Sequence, residues 1–312
     1  MSKFKSVVFL LLIISVISIV LVAPPLWAAS AQKEKAVFFV SFWSGDWLPT
    51  YVPKMLLEEK LGYEVKVESL SVPAGFTAIS SGEVSVTVIT WMPNNDPLVK
   101  KYLGKTMVDL GTMYPDCYQT LFVPKWVSDK YGIKKISDLD NPAYAKLFDI
   151  DLDKKGDWLG CDPAWICAKM NDECILAYGL EKLFVQMMGE EHMLTAVIKG
   201  RMKSNKPVLV SQFYPHIMFL DYPIGESVVA LEDDLNYWPK PHVEKFANKT
   251  WVEKNPKAAE LVRQVNMTTG DIMWSMDYLK KNGDSPEVIE RMTREWMKAH
   301  QEEVNTWLKA VE

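Results

Sequence analysis

Six aromatic residues stand where binding chemistry needs no nucleophile: Trp43, Trp47, Trp91, Tyr118, Trp165 and Phe213. Trp43 and Trp47 follow the first strand-like run, and Trp91 ends the third. Tyr118 sits where the pattern first breaks, and Phe213 ends the run "KPVLVSQF". Each lies where a strand meets a loop, the edge that a binding cleft uses. Aromatic faces carry negative potential, so several around one cavity form a box for a quaternary ammonium group. Three faces at about 0.5–2 kcal/mol each reach about 6 kcal/mol. Micromolar binding needs about 8 kcal/mol, so a second contact is required, and a carboxylate on the ligand would supply it.

The stretch "GCDPAWIC", Gly160 to Cys167, offers that contact. Asp162 suits a helix N-cap and Pro163 its first turn, with the helix running to about Leu180. The N–H groups of Trp165, Ile166 and Cys167 would then face an anion. A Cys161–Cys167 bridge would fix those groups and swing Trp165 over the cation beside them. The ring reads as a zwitterion clamp, with a plain structural staple as the alternative. Closing so short a loop is worth about 2.4 kcal/mol, modest for the protein but large for one loop. The four cysteines are Cys117, Cys161, Cys167 and Cys174. There is no C-x-x-C redox motif, and His192 and His216 are too far along the chain to complete a zinc site with this pair. Whether Cys117 pairs with Cys174 stays open.

The N-terminus sets the compartment. Lys3 and Lys5 precede an apolar run from Val7 to Val22, followed by small residues at Ala28, Ala29 and Ala31. That order reads as a secretory signal peptide over residues 1–31, cut near Ala31, in keeping with disulfides and a periplasmic location. An uncleaved membrane anchor is the alternative reading of the same run. Loss of Lys3 and Lys5 takes the net charge from −5 to −7, which argues against nucleic acid as a partner. The chain lacks the motifs of serine hydrolases, zinc proteases and phosphate-binding loops, and His192, His216, His242 and His300 are scattered, so no enzyme is expected. The run "FDIDLDKKGD" groups Asp149, Asp151, Asp153 and Asp157. Its glycine falls at the eighth position and no glutamate stands at the twelfth, so it reads as a solvated acidic turn rather than a metal site. No cofactor is implied.

The elements that must position these residues alternate. Strand-like runs at Ala36–Phe42, Glu64–Ser69 and Ser85–Trp91 enclose helical ones at Tyr51–Leu61 and Gly75–Ser81, which predicts a mostly parallel sheet. After Pro115 a second such unit begins, with strands at Thr120–Val123 and Val208–Phe213 and a helix at Glu190–Arg201. Beyond Pro239 the chain reads as wholly helical, a signal carried by Asn255–Asp277 and Ser285–Val311, the latter opened by Ser285 and Pro286. Val288, Met292, Trp296, Val304, Trp307 and Val311 recur there at helical spacing and read as core.

At this point the sequence resembles a known family. "LGYEVKVESLSVP", "SSGEVSVTVITWMP", "AKLFDIDLDKKGDWLGCDPAWIC", "AYGL", "KPVLV" and "ANKTWVEKNP" together resemble the substrate-binding proteins of glycine betaine/proline betaine ABC transporters, with choline-binding proteins as near relatives. The resemblance implies a two-lobe α/β periplasmic binding protein of type II, monomeric, that hands its solute to the permease subunits. Lobe 1 would comprise residues 32–116 plus 239–312, and lobe 2 the inserted residues 117–238. The implied aromatic box falls on Trp91, Trp165 and Phe213, where the last position is usually tryptophan. Asn95 stands where a histidine helps hold the carboxylate. The choline-binding relatives add Tyr118 and one of Trp43 or Trp47. Glycine betaine is the first choice of ligand, with choline, carnitine, trimethylamine N-oxide or a non-cationic solute as alternatives.

Overall fold

The computed structural model describes residues 34–312 other than Phe42. The signal-peptide reading lies outside these residues. Among the described residues, ten strands fall into two five-stranded sheets. Strands β1 (Lys35–Val40), β2 (Glu64–Ser69), β3 (Val86–Met92), β4 (Met107–Tyr114) and β10 (His242–Asn248) form the first, in the order β2-β1-β3-β10-β4. Strands β5 (Tyr118–Pro124), β6 (Gly156–Leu159), β7 (Phe184–Met187), β8 (Leu209–Tyr214) and β9 (Val228–Ala230) form the second, in the order β7-β6-β8-β5-β9.

Each sheet is mostly parallel, with one reversed strand: β10 runs against β3 and β4, and β5 runs against β8 and β9. The reversal has a topological cause. β5 and β10 are the strands the chain enters immediately after crossing from one sheet to the other. The registers Tyr118↔Tyr214 and His242↔Met92 start them at the C-terminal ends of their neighbours. Both crossings therefore lie at the sheet ends that carry Trp91 and Phe213, each the penultimate residue of its strand.

Helices α1 (Trp47–Leu61), α2 (Val72–Ser81), α3 (Asp96–Val99), α4 (Lys125–Tyr131), α5 (Pro142–Phe148), α6 (Ile166–Ala177), α7 (Glu191–Lys203) and α8 (Met218–Asp221) connect the strands. The C-terminal segment contains α9 (Lys249–Lys254), α10 (Pro256–Gln264), α11 (Thr269–Asn282), α12 (Pro286–Ala299) and α13 (Gln301–Lys309). The expectation of a wholly helical chain beyond Pro239 fails at β10, which pairs between β3 and β4, and the long helices expected at 255–277 and 285–311 are each broken. Val265 turns extended, Met267 N–H donates to Met113 O, and a Thr268–Asp271 capping box starts α11 afresh. The second break falls at His300, whose ring stacks on Trp296 with centroids 4.1 Å apart.

The acidic run also departs from the expectation. Asp149 and Asp153 accept N–H bonds from their own loop, as a turn requires. Asp157, however, is buried in β6 and accepts the Ile150 N–H at 2.5 Å. Trp158 beside it is the residue that carries the strand into the core.

The C-terminal helices cover the first sheet: Met292, Trp296, Val304 and Trp307 are buried in its core, as the helical spacing predicted. Trp296 and Trp307 stack at 6.2 Å. Replacing Trp307 with alanine removes a large buried side chain from the core of the first sheet. It should cost about 3–5 kcal/mol in denaturant unfolding and leave solute affinity unchanged.

Candidate functional site

A cavity of about 440 Å³ is bounded by residues of both sheets. Trp43, Trp91, Trp165 and Phe213 all line it. Phe213 is their hub: its ring centroid lies 5.0 Å from Trp91, 5.5 Å from Trp43 and 6.3 Å from Trp165. Trp43 meets Trp91 at 5.8 Å, and all four contacts are edge-on, with interplanar angles of 60–74°. The Trp43 indole reaches this position because residue 45 is glycine. A Cβ there would come within 2.4 Å of the ring.

Two aromatic candidates do not line the cavity. Trp47 is the first residue of α1 and packs on Tyr51 at 6.0 Å. Tyr118 stacks on Tyr214 at 5.2 Å and 13°. Strand alternation explains the second case, because the neighbouring Gln119 lines the cavity and Tyr118 points to the other face. Gln119 in turn accepts a 3.1 Å bond from the Asn94 side chain, tying the end of β3 to the first crossing. Asn95 lines the cavity, with its side-chain N–H on the Trp91 carbonyl at 3.0 Å.

The cysteine ring forms, with Cys161 and Cys167 bonded and their Cα atoms 6.4 Å apart. Cys117 and Cys174 are free and buried, the first in the core of the first sheet and the second in that of the second. Inside the ring the helix starts later than expected. The Asp162 carboxylate accepts the Ala164 N–H at 2.8 Å and its carbonyl accepts the Trp165 N–H at 2.9 Å, making a turn rather than a cap. Trp165 remains extended and becomes the residue before α6. Its N–H is thereby occupied, as is that of Ala168, which donates to Trp165 O. The N–H groups of Ile166 and Cys167 remain without a partner among the described residues, and both residues line the cavity.

A buried polar network seats α6. Ser211 Oγ donates to Asn171 Oδ1 at 2.7 Å and Asn171 Nδ2 to Gln186 Oε1 at 2.9 Å. Gln186 Nε2 then donates to Ala168 O at 2.8 Å. Gly160 lets Gln186 in, since a Cβ there would meet its side-chain oxygen at 2.1 Å.

Asp46 is the site residue that the sequence reading missed. It ends the short turn Ser44–Asp46, is 1% exposed and lines the cavity. Its Oδ2 accepts bonds from Ser41 N–H at 2.8 Å and Ser41 Oγ at 2.6 Å. The signal was there: an acid between two tryptophans in "WSGDW".

Residues 35–299 match the profile of the family described as the substrate-binding domain of ABC-type glycine betaine transport systems. The chain belongs to this family. It is 29% identical over 273 residues to the glycine betaine-binding periplasmic protein OusX of Dickeya dadantii, covering 81% of this chain and 82% of that one. It is equally 29% identical over 270 residues to the glycine betaine/proline betaine-binding periplasmic protein of Escherichia coli K12, covering 80% and 82%. The fold matches the crystal structure of the glycine betaine/L-proline ABC transporter binding protein of Borrelia burgdorferi with a TM-score of 0.75, at 23% identity and covering 88% and 96% of the two chains. Members of this family are substrate-binding transport components. No helix among the described residues is long and apolar enough to cross a membrane.

Burial pushes the Asp46 carboxyl up to about 7, against the lowering pull of its Ser41 bonds and with a further small rise from the Glu191 charge. The acid is neutral below that pH and ionised above it. A cation bound beside it favours the ionised form, so affinity for a monocation should rise with pH through this range. With about a tenth of the acid ionised at pH 6 and about nine tenths at pH 8, the gain should be about five- to tenfold. Titration calorimetry with choline at both pH values checks this, and Asp46→Asn should flatten the profile.

Proposed function

We propose that this chain is the periplasmic solute-binding component of an ABC importer, capturing a quaternary ammonium compound, glycine betaine first, for delivery to its permease. It acts as a carrier and not an enzyme. The observation that supports this most is the convergence of Trp43, Trp91, Trp165 and Phe213 on one cavity together with the free N–H groups of Ile166 and Cys167. On this reading the aromatic faces take the trimethylammonium group and the two N–H groups take the carboxylate. Asn95 lies on the same wall and lends its remaining polar atoms to that end. The two sheets act as the cores of two lobes, residues 32–116 plus 239–312 and residues 117–238. The crossings serve as the hinge between them. A monomer suffices.

Choline is the second reading, and Asp46 favours it. A buried carboxylate in the cavity wall rewards a net positive ligand and opposes one carrying its own carboxylate. Which term dominates is set by the helix N–H groups, whose charge-assisted bonds are worth about 1.5–3 kcal/mol. The decisive experiment is a tryptophan-fluorescence titration with glycine betaine, choline, trimethylamine N-oxide and a sugar panel. At least one quaternary ammonium should bind at micromolar concentration and no sugar should bind. Trp91→Ala and Trp165→Ala should each weaken that binding at least about tenfold, the loss of one face. Unchanged affinity in Trp165→Ala would remove the ring from the site. A ten- to hundredfold preference for betaine over choline would assign the N–H groups the larger role; the reverse preference would assign it to Asp46.

A further inference from the structure

Glu191 and His216 lie behind the aromatic cluster and do not line the main cavity. His216 is 1% exposed. Its Nδ1 accepts the Met218 N–H at 3.1 Å, which leaves the ring proton of the neutral imidazole on Nε2. Nε2 lies 3.2 Å from Glu191 Oε1, a close polar contact between the ring and the carboxylate. Glu191 is the first residue of α7, where the helix dipole favours an anion. Each ring nitrogen of His216 thus faces the first residue of a helix, Nδ1 bonded to Met218 and Nε2 beside Glu191.

The ring so fixed packs on Phe213, with centroids 5.1 Å apart at 84°. Phe213 has no polar atom, so packing alone sets its rotamer. Its cavity side meets the three tryptophans; His216 meets it as well, and Phe219 packs on His216 at 6.5 Å. Trp165, Glu191, Phe213 and His216 all border a small second cavity of about 20 Å³. Loss of either polar partner would free the imidazole, and through it the phenyl ring that touches every indole of the cluster.

We propose that Glu191 and His216 are a positioning pair that holds the Phe213 ring in the aromatic cluster and thereby sets how tightly the cavity grips a quaternary ammonium group. The proposal rests on the functional reading above. Its chain of constraint runs from the α7 N-terminus through Glu191 and His216 to Phe213 and then to Trp43, Trp91 and Trp165.

The test uses the whole mature protein and tetramethylammonium, a probe that offers only the cation. Glu191→Ala should weaken its binding about five- to tenfold, and Glu191→Gln, which keeps an acceptor for the imidazole N–H, should restore most of that loss. His216→Ala should weaken it at least as much as Glu191→Ala. In the unliganded protein, near-ultraviolet circular dichroism should lose aromatic intensity in Glu191→Ala and regain it in Glu191→Gln. Wild-type affinity in Glu191→Ala would overturn the pair. So would a Glu191→Gln loss equal to that of Glu191→Ala, or a lowered melting temperature with unchanged affinity and dichroism. If the wild-type protein binds no quaternary ammonium, the functional reading fails, while the dichroism of the unliganded variants still decides whether the pair positions Phe213.

Discussion

A quaternary ammonium group has no N–H to donate. A protein that takes it out of water replaces its hydration with aromatic faces, with negative charge or with the negative ends of dipoles. On the proposed function this single restriction governs the site. It requires several rings around one small volume, and it requires that they be held apart from ordinary core packing. No single strand or helix presents three or four rings to one point, so they must come from separate segments. Here they come from the ends of β1, β3 and β8 and from the loop before α6.

The topology supplies that convergence. Both chain crossings sit at the C-terminal ends of the parallel strands, and the reversed strands β5 and β10 start there. Trp91 and Phe213 occupy matching penultimate positions, each followed by an X-Pro bond in the cis form, Met92-Pro93 and Tyr214-Pro215. Trp165 has no strand to place it. The Cys161–Cys167 bond and the Asp162 turn hold its backbone, and the Ser211–Asn171–Gln186 network seats the helix that follows it. The ring answers a geometric need: it holds a tryptophan in extended backbone directly before a helix, leaving the next two N–H groups open.

The parts legible in the sequence were those that periodicity and punctuation encode. The limits of β2 and the core face of the last two helices followed from alternation and helical spacing. The parts that were not legible depend on partners distant in the chain. Strand β10 carries Lys245, which argues against a buried central strand. Yet Lys245 is buried and donates to the carbonyls of Arg263 and Val265 at 2.7 and 2.6 Å, satisfying the end of α10. Burial, reinforced by the Arg263 charge, brings its ammonium down to about 7. Asp157 looked like surface until β6 and the Ile150 N–H gave it a place. Tyr118 and Gln119 differ by one residue and by one face of a strand, a register that only the pairing with β8 fixes. Asp46 carries no periodic signal, and only its place between two tryptophans marks it in the sequence.

The account stands on the attraction between a positive charge and the aromatic cluster, as distinct from simple burial of methyl groups. Pairs of ligands that differ only by replacing the ammonium nitrogen with carbon isolate that term: glycine betaine against 3,3-dimethylbutanoate, and choline against 3,3-dimethylbutan-1-ol. Calorimetric titration of the protein with both pairs should show the ammonium member of the better-binding pair at least about tenfold tighter than its carbon isostere. Equal affinity within that pair would mean that the cavity recognises shape and apolar surface alone, and would contradict the cation-binding role of Trp43, Trp91, Trp165 and Phe213.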